Sequence, residues 1–144
     1  TFHQRISGRI YRIMANFVLD NGLGEIFDAP TDVVLSDDVI IQPDILFISK
    51  ERVEIIEEQS IMGAPDLVVE IISPSSSFND SVRKREIYQR FGVKEYWLVF
   101  PEEKAIEIMT IENGIYREFC SAKEQGTVQS KLIQGFEIEL KNVF

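Results

Sequence analysis

Two acidic residues interrupt runs of aliphatic residues, and they are the first candidates for chemistry. Glu70 is the one polar residue in the run 67–72, and Asp44 lies inside the largely apolar run 39–48. An unpaired buried carboxylate is strongly unfavourable, so each acid must be paired, bound to a metal or shifted in its pKa. If the two runs form neighbouring strands, about 4.8 Å apart, the carboxylates can lie side by side.

Two carboxylates that meet in this way could share a divalent cation. Oxygen ligands with water completing the shell suit Mg²⁺ or Mn²⁺. Such an ion lowers the pKa of a bound water and neutralises charge on a phosphoryl transition state. Asp66 cannot join the pair, because it lies on the strand of Glu70 at roughly 13 Å, given about 3.3 Å per residue. We therefore predict Asp44 and Glu70 as the metal ligands.

A lysine on the following helix is the third candidate. On a helical wheel of residues 79–91, one face holds Asp80, Lys84, Ile87, Tyr88 and Phe91. That face is expected to point back towards the strand of Glu70. Lys84 could orient or deprotonate a water, or stabilise developing negative charge. The alternative is a structural i,i+4 pair between Asp80 and Lys84, worth a few tenths of a kcal/mol.

The hydrophobic pattern predicts the elements that must hold these side chains. Apolar residues at helical spacing predict a helix over 3–19, with His3 in its first turn. Short strands are predicted over 25–27 and 32–35, and longer buried strands over 39–48 and 67–72. The segment from Ser77 to Asp80 fits a capping box that opens the helix of Lys84. A strand over 95–100 follows, and a strand, helix and strand in this order predict a parallel pair.

The C-terminal part of the chain is predicted to be an antiparallel meander. Its strands are expected over 106–111, 115–119, 127–132 and 136–140, and Asn113-Gly114 is a strong hairpin signal. Strand edges in such a meander make a homodimer an expected assembly. The chain as a whole therefore predicts a mixed α/β architecture, an α+β mixed sheet.

Length and composition bound the function classes. With 144 residues, 44% of them hydrophobic, the chain predicts a single domain over 1–144. The single cysteine, Cys120, cannot form an internal disulfide, which favours a reducing cytoplasm. No apolar run approaches the ~20 residues of a membrane span. The chain begins at Thr1, so we expect a segment to be missing ahead of it.

The net charge of −9 disfavours broad, non-specific binding of nucleic acid. The charge is unevenly distributed, however. Residues 1–19 and residues 79–94 each carry +3, which leaves −15 for the rest of the chain. Two basic helices on an acidic body could form a local docking surface for a polyanion, although basic residues on solvated helix faces are common.

Several motifs together resemble the Uma-two family of proposed endonucleases, a branch of the PD-(D/E)XK restriction-endonuclease-like superfamily. They are Gln42-Pro-Asp-Ile, the segment 63–76, the spaced Asp80, Lys84 and Tyr88, and Gly92-Val-Lys-Glu-Tyr-Trp-Leu-Val. His3-Gln4 and the closing segment 135–140 extend the resemblance over most of the chain. It departs at Phe100, where such sequences usually carry Asp. Members also usually carry an acidic strand ahead of the first helix.

The resemblance implies a restriction-endonuclease-like core, a central mixed β-sheet flanked by helices and followed by a C-terminal meander. It implies Asp44 and Glu70 as the two metal-binding acids. The lysine usually found two residues after the glutamate is replaced by Ile72, and Lys84 is implied as its substitute. Asp80, Tyr88 and His3 are possible supporting residues.

The function expected on this basis is Mg²⁺-dependent (or Mn²⁺-dependent) cleavage of phosphodiester bonds in DNA. The alternative is a catalytically silent module that keeps the fold and binds a nucleic acid or a protein partner. A third possibility, the paired carboxylates of a glycosidase, leaves Lys84 unexplained.

Overall fold

In the computed structural model, which describes residues 1–74 and 78–144, a six-stranded mixed sheet lies at the centre of the molecule. In chain order the elements are α1 (Phe2–Asp20), β1 (Gly24–Asp28), β2 (Val33–Ser36), β3 (Val39–Ile41), β4 (Ile45–Ser49), a 3-10 helix (Lys50–Ile55), β5 (Ile61–Met62), β6 (Leu67–Ile71), α2 (Phe78–Arg90), β7 (Glu95–Phe100), β8 (Ala105–Glu112), β9 (Ile115–Lys123), β10 (Thr127–Gln129), β11 (Glu137–Glu139) and a second 3-10 helix (Leu140–Asn142).

The strand order in the central sheet is β1-β4-β6-β7-β8-β9. β6 and β7 are parallel, as the strand–helix–strand order predicts, and the other neighbours are antiparallel. β4 lies directly beside β6, with Ile45 opposite Val69. The strand predicted to hold Asp44 was expected to neighbour the strand of Glu70, and β4 and β6 are neighbours, with Asp44 directly before β4.

Every residue of β6 is buried, because the sheet is covered on both faces. Leu67, Val69 and Ile71 belong to the same core cluster as the apolar side chains of α1. Val68 belongs to a second cluster, which includes Tyr88 of α2. Since successive side chains of a strand point to opposite faces, α1 and α2 pack on opposite sides of β6.

The helix predicted over 79–91 is present as α2, but its packing differs from the prediction. Of the described side chains of α2, only Tyr88 is buried, and Ile87 and Phe91 remain partly exposed. The capping box from Ser77 to Asp80 cannot be assessed, because Ser77 lies outside the described residues. α2 is thus held to the sheet by little apolar contact.

The strand predicted over 39–48 is wrong, because it is two strands. β3 pairs with β2 in a separate three-stranded sheet with β5, and β4 pairs with β1 and β6 in the central sheet. Pro43 stands between β3 and β4, where its lack of an N–H group prevents a continuous ladder. Asp44 therefore lies directly before β4 and not in the interior of a strand.

The C-terminal meander is shorter than predicted. β7, β8 and β9 form it, and Asn113 and Gly114 turn between β8 and β9 with φ of 54° and 79°, as a tight hairpin requires. β10 and β11 leave the central sheet and form their own two-stranded sheet, which contributes Val128 and Ile138 to the core beside α1. Neither α-helix of the described chain combines the length and the apolar character that a membrane crossing needs.

Candidate active site

Asp44 and Glu70 meet at one end of the β4–β6 pair. The antiparallel register that sets Ile45 opposite Val69 brings the preceding Asp44 beside the following Glu70. The Asp44 carboxyl group lies in hydrogen-bonding contact with that of Glu70. Its Oδ2 atom also accepts a hydrogen bond of 2.8 Å from the main-chain N–H of Ile71. The structure therefore brings the two predicted acids together.

Glu70 is the buried centre of this cluster, with only 2% of its surface exposed. The Tyr88 hydroxyl donates a hydrogen bond to its Oε2 atom. Lys84 Nζ lies 3.5 Å from its Oε1 atom, and the lysine side chain is 36% exposed. Each carboxylate oxygen thus faces a different side chain of α2, which carries Lys84 and Tyr88 one turn apart.

The electrostatics of Glu70 are set by opposing effects. Burial raises the pKa of its carboxyl group to about 7, and the nearby Asp44 carboxylate adds to the rise, while Lys84 and the hydrogen bond from Tyr88 oppose it. The pKa of the Tyr88 hydroxyl is raised well above its ordinary value, mainly by burial and then by the charge of Glu70. Tyr88 therefore remains a hydrogen-bond donor over the whole physiological pH range.

His3 reaches the same place from the other side of the sheet. Its Nε2 atom donates a hydrogen bond of 3.2 Å to the main-chain carbonyl oxygen of Ile71 and lies 3.7 Å from Asp44 Oδ2. His3 belongs to the first turn of α1, so the start of this helix lies at the site. Asp80 lies one turn before Lys84 in the first turn of α2, where its charge acts on the buried hydroxyl of Tyr96.

The site also contains the main-chain N–H and carbonyl groups of Ile71, which sequence reasoning missed. The N–H group orients Asp44, and the carbonyl group accepts from His3. No residue type marks such a contribution, because every residue except proline carries both groups. The register between β4 and β6 is the only signal that could have revealed it.

The carboxylate oxygen atoms of Asp44 and Glu70 are suitable ligands for a hard divalent cation, but they are only two side chains. No group of three or more His, Cys, Asp and Glu side chains that could hold a metal occurs within residues 1–74 and 78–144. Asp44 and Glu70 nevertheless bring two carboxyl groups into contact, which is unfavourable when both are charged and favourable around a cation. The pKa of Glu70 is raised mainly by burial, and the Asp44 carboxylate adds to the rise. Carboxylates at such a point suit Mg²⁺ or Mn²⁺.

Comparison with known proteins identifies the family and the fold of the chain. The model of the Uma2 family, described as "Putative restriction endonuclease", matches residues 1–141. The crystal structure of a "putative nuclease belonging to DUF820" from Anabaena variabilis is similar over 100% of this chain and 80% of that chain, with a TM-score of 0.81 and 19% sequence identity. No curated protein matches. At this identity, the structural likeness shows the fold.

Proposed function

The chain belongs to the Uma2 family of restriction-endonuclease-like proteins, and on this premise we propose that it is a divalent-metal-dependent endonuclease that hydrolyses phosphodiester bonds in DNA. The observation that carries the proposal is the environment of Glu70. A buried carboxyl group is in contact with a second carboxyl group, Asp44, and lies 3.5 Å from a lysine ammonium. A purely structural carboxylate would be expected to lack the second acid.

In this proposal Asp44 and Glu70 hold Mg²⁺ or Mn²⁺. When bound, the metal would lower the pKa of a water and offset charge that develops on the phosphate. Glu70 is held in place by Tyr88, and Asp44 is held by the N–H group of Ile71.

The other side chains act on the substrate and on the site's shape. Lys84 places its Nζ atom 3.5 Å from Glu70 Oε1, where the side chain can orient or help to deprotonate a water or stabilise a developing negative charge. His3 holds the carbonyl group of Ile71 and so supports the end of β6. Asp80 is a supporting residue of α2, in the turn before Lys84.

A cleavage assay tests the proposal. The wild-type protein should cut duplex, single-stranded or branched DNA in the presence of Mg²⁺ or Mn²⁺. Addition of EDTA should stop the cleavage. Asp44→Asn and Glu70→Gln should abolish cleavage. Glu86→Gln is the matched control, because Glu86 is exposed on α2 and lies outside the site.

Thermal unfolding gives a readout that does not depend on turnover. A cation that binds only the folded protein raises its melting temperature by mass action, by an amount set by the ratio of its concentration to Kd. Mg²⁺ or Mn²⁺ should raise the melting temperature of the wild type and of Glu86→Gln, but not of Asp44→Asn. No cleavage of any DNA, together with an unchanged melting temperature, would favour the catalytically silent binding module instead.

We propose that the protein works in a reducing cytoplasm, with Cys120 as a free thiol. We also propose a homodimer. Size-exclusion chromatography with light scattering tests the dimer, and a mass of about 16.6 kDa would exclude it.

A further inference from the structure

The helix that carries Lys84 has an unusual attachment to the sheet. Of the described side chains of α2, Tyr88 alone is buried, so apolar packing by itself does not fix the helix. Lys84 and Tyr88, four residues apart, both contact Glu70 on β6. These two contacts hold one face of α2 against β6. They leave the helix able to rotate about the line that joins Lys84 and Tyr88.

A second pair of side chains contacts a different strand. Gln89 Oε1 accepts a hydrogen bond of 2.8 Å from the main-chain N–H of Tyr116 on β9. Arg85 Nη2 donates a hydrogen bond of 3.4 Å to the main-chain carbonyl oxygen of the same residue, Tyr116. β9 is the edge strand of the central sheet, so these two groups would otherwise face outward unpaired.

The two pairs are offset by one residue along α2. Arg85 follows Lys84 and Gln89 follows Tyr88, so the second pair lies about 100° around the helix from the first. One pair fixes the helix to β6 and the other fixes it to β9, on the far side of β7 and β8. Contacts at two strands in two directions define both the position and the rotation of α2.

Tyr116 is the anchor of the second attachment. Its hydroxyl group donates a hydrogen bond of 2.6 Å to the carbonyl oxygen of Val93, just beyond the end of α2. Its ring lies 5.8 Å from that of Tyr96, which lies 5.1 Å from that of Tyr88. The edge strand is therefore linked to the residue that contacts Glu70 by a continuous row of three buried aromatic rings.

We propose that Gln89 and Arg85 are positioning residues of the active site, which fix the rotation of α2 and so hold Lys84 beside Glu70. The inference rests on the proposed nuclease function for its kinetic consequence. Neither residue contacts Glu70 in the hydrogen bonds and ion pairs of the described chain. A displacement of about 1 Å at a reacting group can cost up to about a hundredfold in rate, so a small roll of α2 is sufficient.

The test compares three substitutions of exposed or half-exposed glutamines. Gln89→Leu removes the acceptor for the Tyr116 N–H group, whereas Gln89→Glu keeps an acceptor oxygen at that position. Gln59→Leu is the control, because Gln59 is exposed outside α2 and the central sheet. Gln89→Leu should lower the single-turnover cleavage rate at saturating Mg²⁺ and DNA about tenfold to a hundredfold. The DNA concentration giving half-maximal rate should change little, and Gln89→Glu should restore most of the rate.

An NMR measurement separates this inference from the proposed function. Two measurements report the position of α2 on the sheet without any turnover. They are the nuclear Overhauser contacts between the rings of Tyr88 and Tyr96 and the hydrogen exchange of the Tyr116 amide. Gln89→Leu should weaken those contacts and speed that exchange, and Gln89→Glu and Gln59→Leu should not. A wild type that cuts no DNA would overturn the proposed function, while these NMR changes would still support the positioning role. Unchanged ring contacts and amide exchange in Gln89→Leu, or equal rate losses in Gln89→Leu and Gln89→Glu, would overturn it.

Discussion

At the scale of single residues, Glu70 is a carboxyl group whose neighbours pull in opposite directions. Burial and Asp44 favour its neutral form, and Lys84 and Tyr88 favour its charged form. With its pKa at about 7, neither form is strongly preferred at neutral pH. A divalent cation between Asp44 and Glu70 would resolve the conflict by favouring the charged form of both. The same residue therefore connects the stability of the protein with its proposed chemistry.

The stability of the protein is expected to depend on pH through Glu70. Without divalent cations, the pKa of Glu70 is about 7 in the folded protein against an ordinary value of 4.5, so the folded state binds the proton more tightly. The stabilisation by protonated Glu70 is then fully present below about pH 4.5 and is lost as the pH rises through 7. At about 1.4 kcal/mol per pKa unit, the loss is about 3 kcal/mol.

Urea unfolding of wild type and Glu70→Gln between pH 4 and pH 8, in EDTA, isolates this contribution. Because glutamine does not titrate, the wild type should lose about 3 kcal/mol relative to the variant across that range. Glu86→Gln retains Glu70, so its free energy of unfolding should fall with rising pH as that of the wild type does. A free-energy difference between wild type and Glu70→Gln that stays constant, or that moves the other way, would contradict the raised pKa.

The ammonium group of Lys84 is expected to act in the cleavage step. Lys84→Met keeps most of the apolar stem and removes the ammonium group. If that charge acts on the water or on the phosphate, the single-turnover cleavage rate at saturating Mg²⁺ should fall by about 10²-fold or more, with metal affinity largely kept. Lys123→Met, at an exposed position at the end of β9, is the control. Equal rates for wild type and Lys84→Met would reduce Lys84 to a structural partner, since a half-exposed ion pair contributes little to stability.

Among the elements of the fold, those that a short stretch of sequence defines were predicted. The helical spacing of Ile6, Ile10 and Met14 predicted α1, and all three side chains are fully buried. The aliphatic run around Glu70 predicted β6 as a strand buried on both faces. Asn113-Gly114 predicted the hairpin between β8 and β9.

The elements that depend on distant contacts could not be read in this way. The same alternation that predicts β10 and β11 cannot tell which strand each will pair with, and they pair with each other. The attachment of α2 to β9 depends on Gln89 and Arg85, two polar residues that a wheel assigns to a solvated face. At the site, the pairing of Asp44 with Glu70 was predictable from two interrupted apolar runs, but the part played by the backbone of Ile71 was not.

Asp66 links three elements of the fold. Its buried carboxylate accepts from the Ser49 N–H group at 2.8 Å and lies 3.2 Å from both Arg52 and Lys94, so it ties the end of β4 to the 3-10 helix and to the start of β7. Burial alone would raise its pKa, but these contacts outweigh burial and lower it. Asp66→Asn should lower the free energy of unfolding at pH 7 by about 2 kcal/mol, the scale of hydrogen bonds to charged groups.

The difference between wild type and Asp66→Asn should shrink as the pH falls through the lowered pKa, because the wild-type carboxylate is then protonated too. Metal binding should be intact, since Asp66 lies four residues from Glu70 at the other end of β6. Denaturant unfolding at pH 7 and pH 3, with a Mg²⁺ or Mn²⁺ titration, checks both statements. Loss of the metal response in Asp66→Asn would mean that the variant disturbs the whole sheet.

At the scale of the molecule, charge and topology act together. The segments 1–19 and 79–94 each carry +3 on a chain of −9. α1 and α2, which hold most of this positive charge, pack on opposite faces of β6. Both reach the same end of that strand, α1 through His3 at Ile71 and α2 through Lys84 at Glu70. On the proposed function, a nucleic acid bound at this end of the sheet would meet a basic helix on either side, and the negative charge of the rest of the chain would limit the contact surface.

A small contact surface for nucleic acid should give DNA binding a weak dependence on salt concentration. Each neutralised phosphate of duplex DNA contributes about −0.9 to the slope of log K against log salt concentration. A small contact surface that neutralises roughly three phosphates therefore predicts a shallow slope of roughly −3. Arg83→Gln, on the exposed face of α2, should make the slope less steep by about 0.9. Arg117→Gln should leave it unchanged, because Arg117 lies on the edge strand and contacts Glu112. Fluorescence anisotropy of a labelled duplex across a salt series, with metal replaced by EDTA to prevent cleavage, measures all three slopes. Equal slopes for Arg83→Gln and wild type would remove this face of α2 from the nucleic-acid contact.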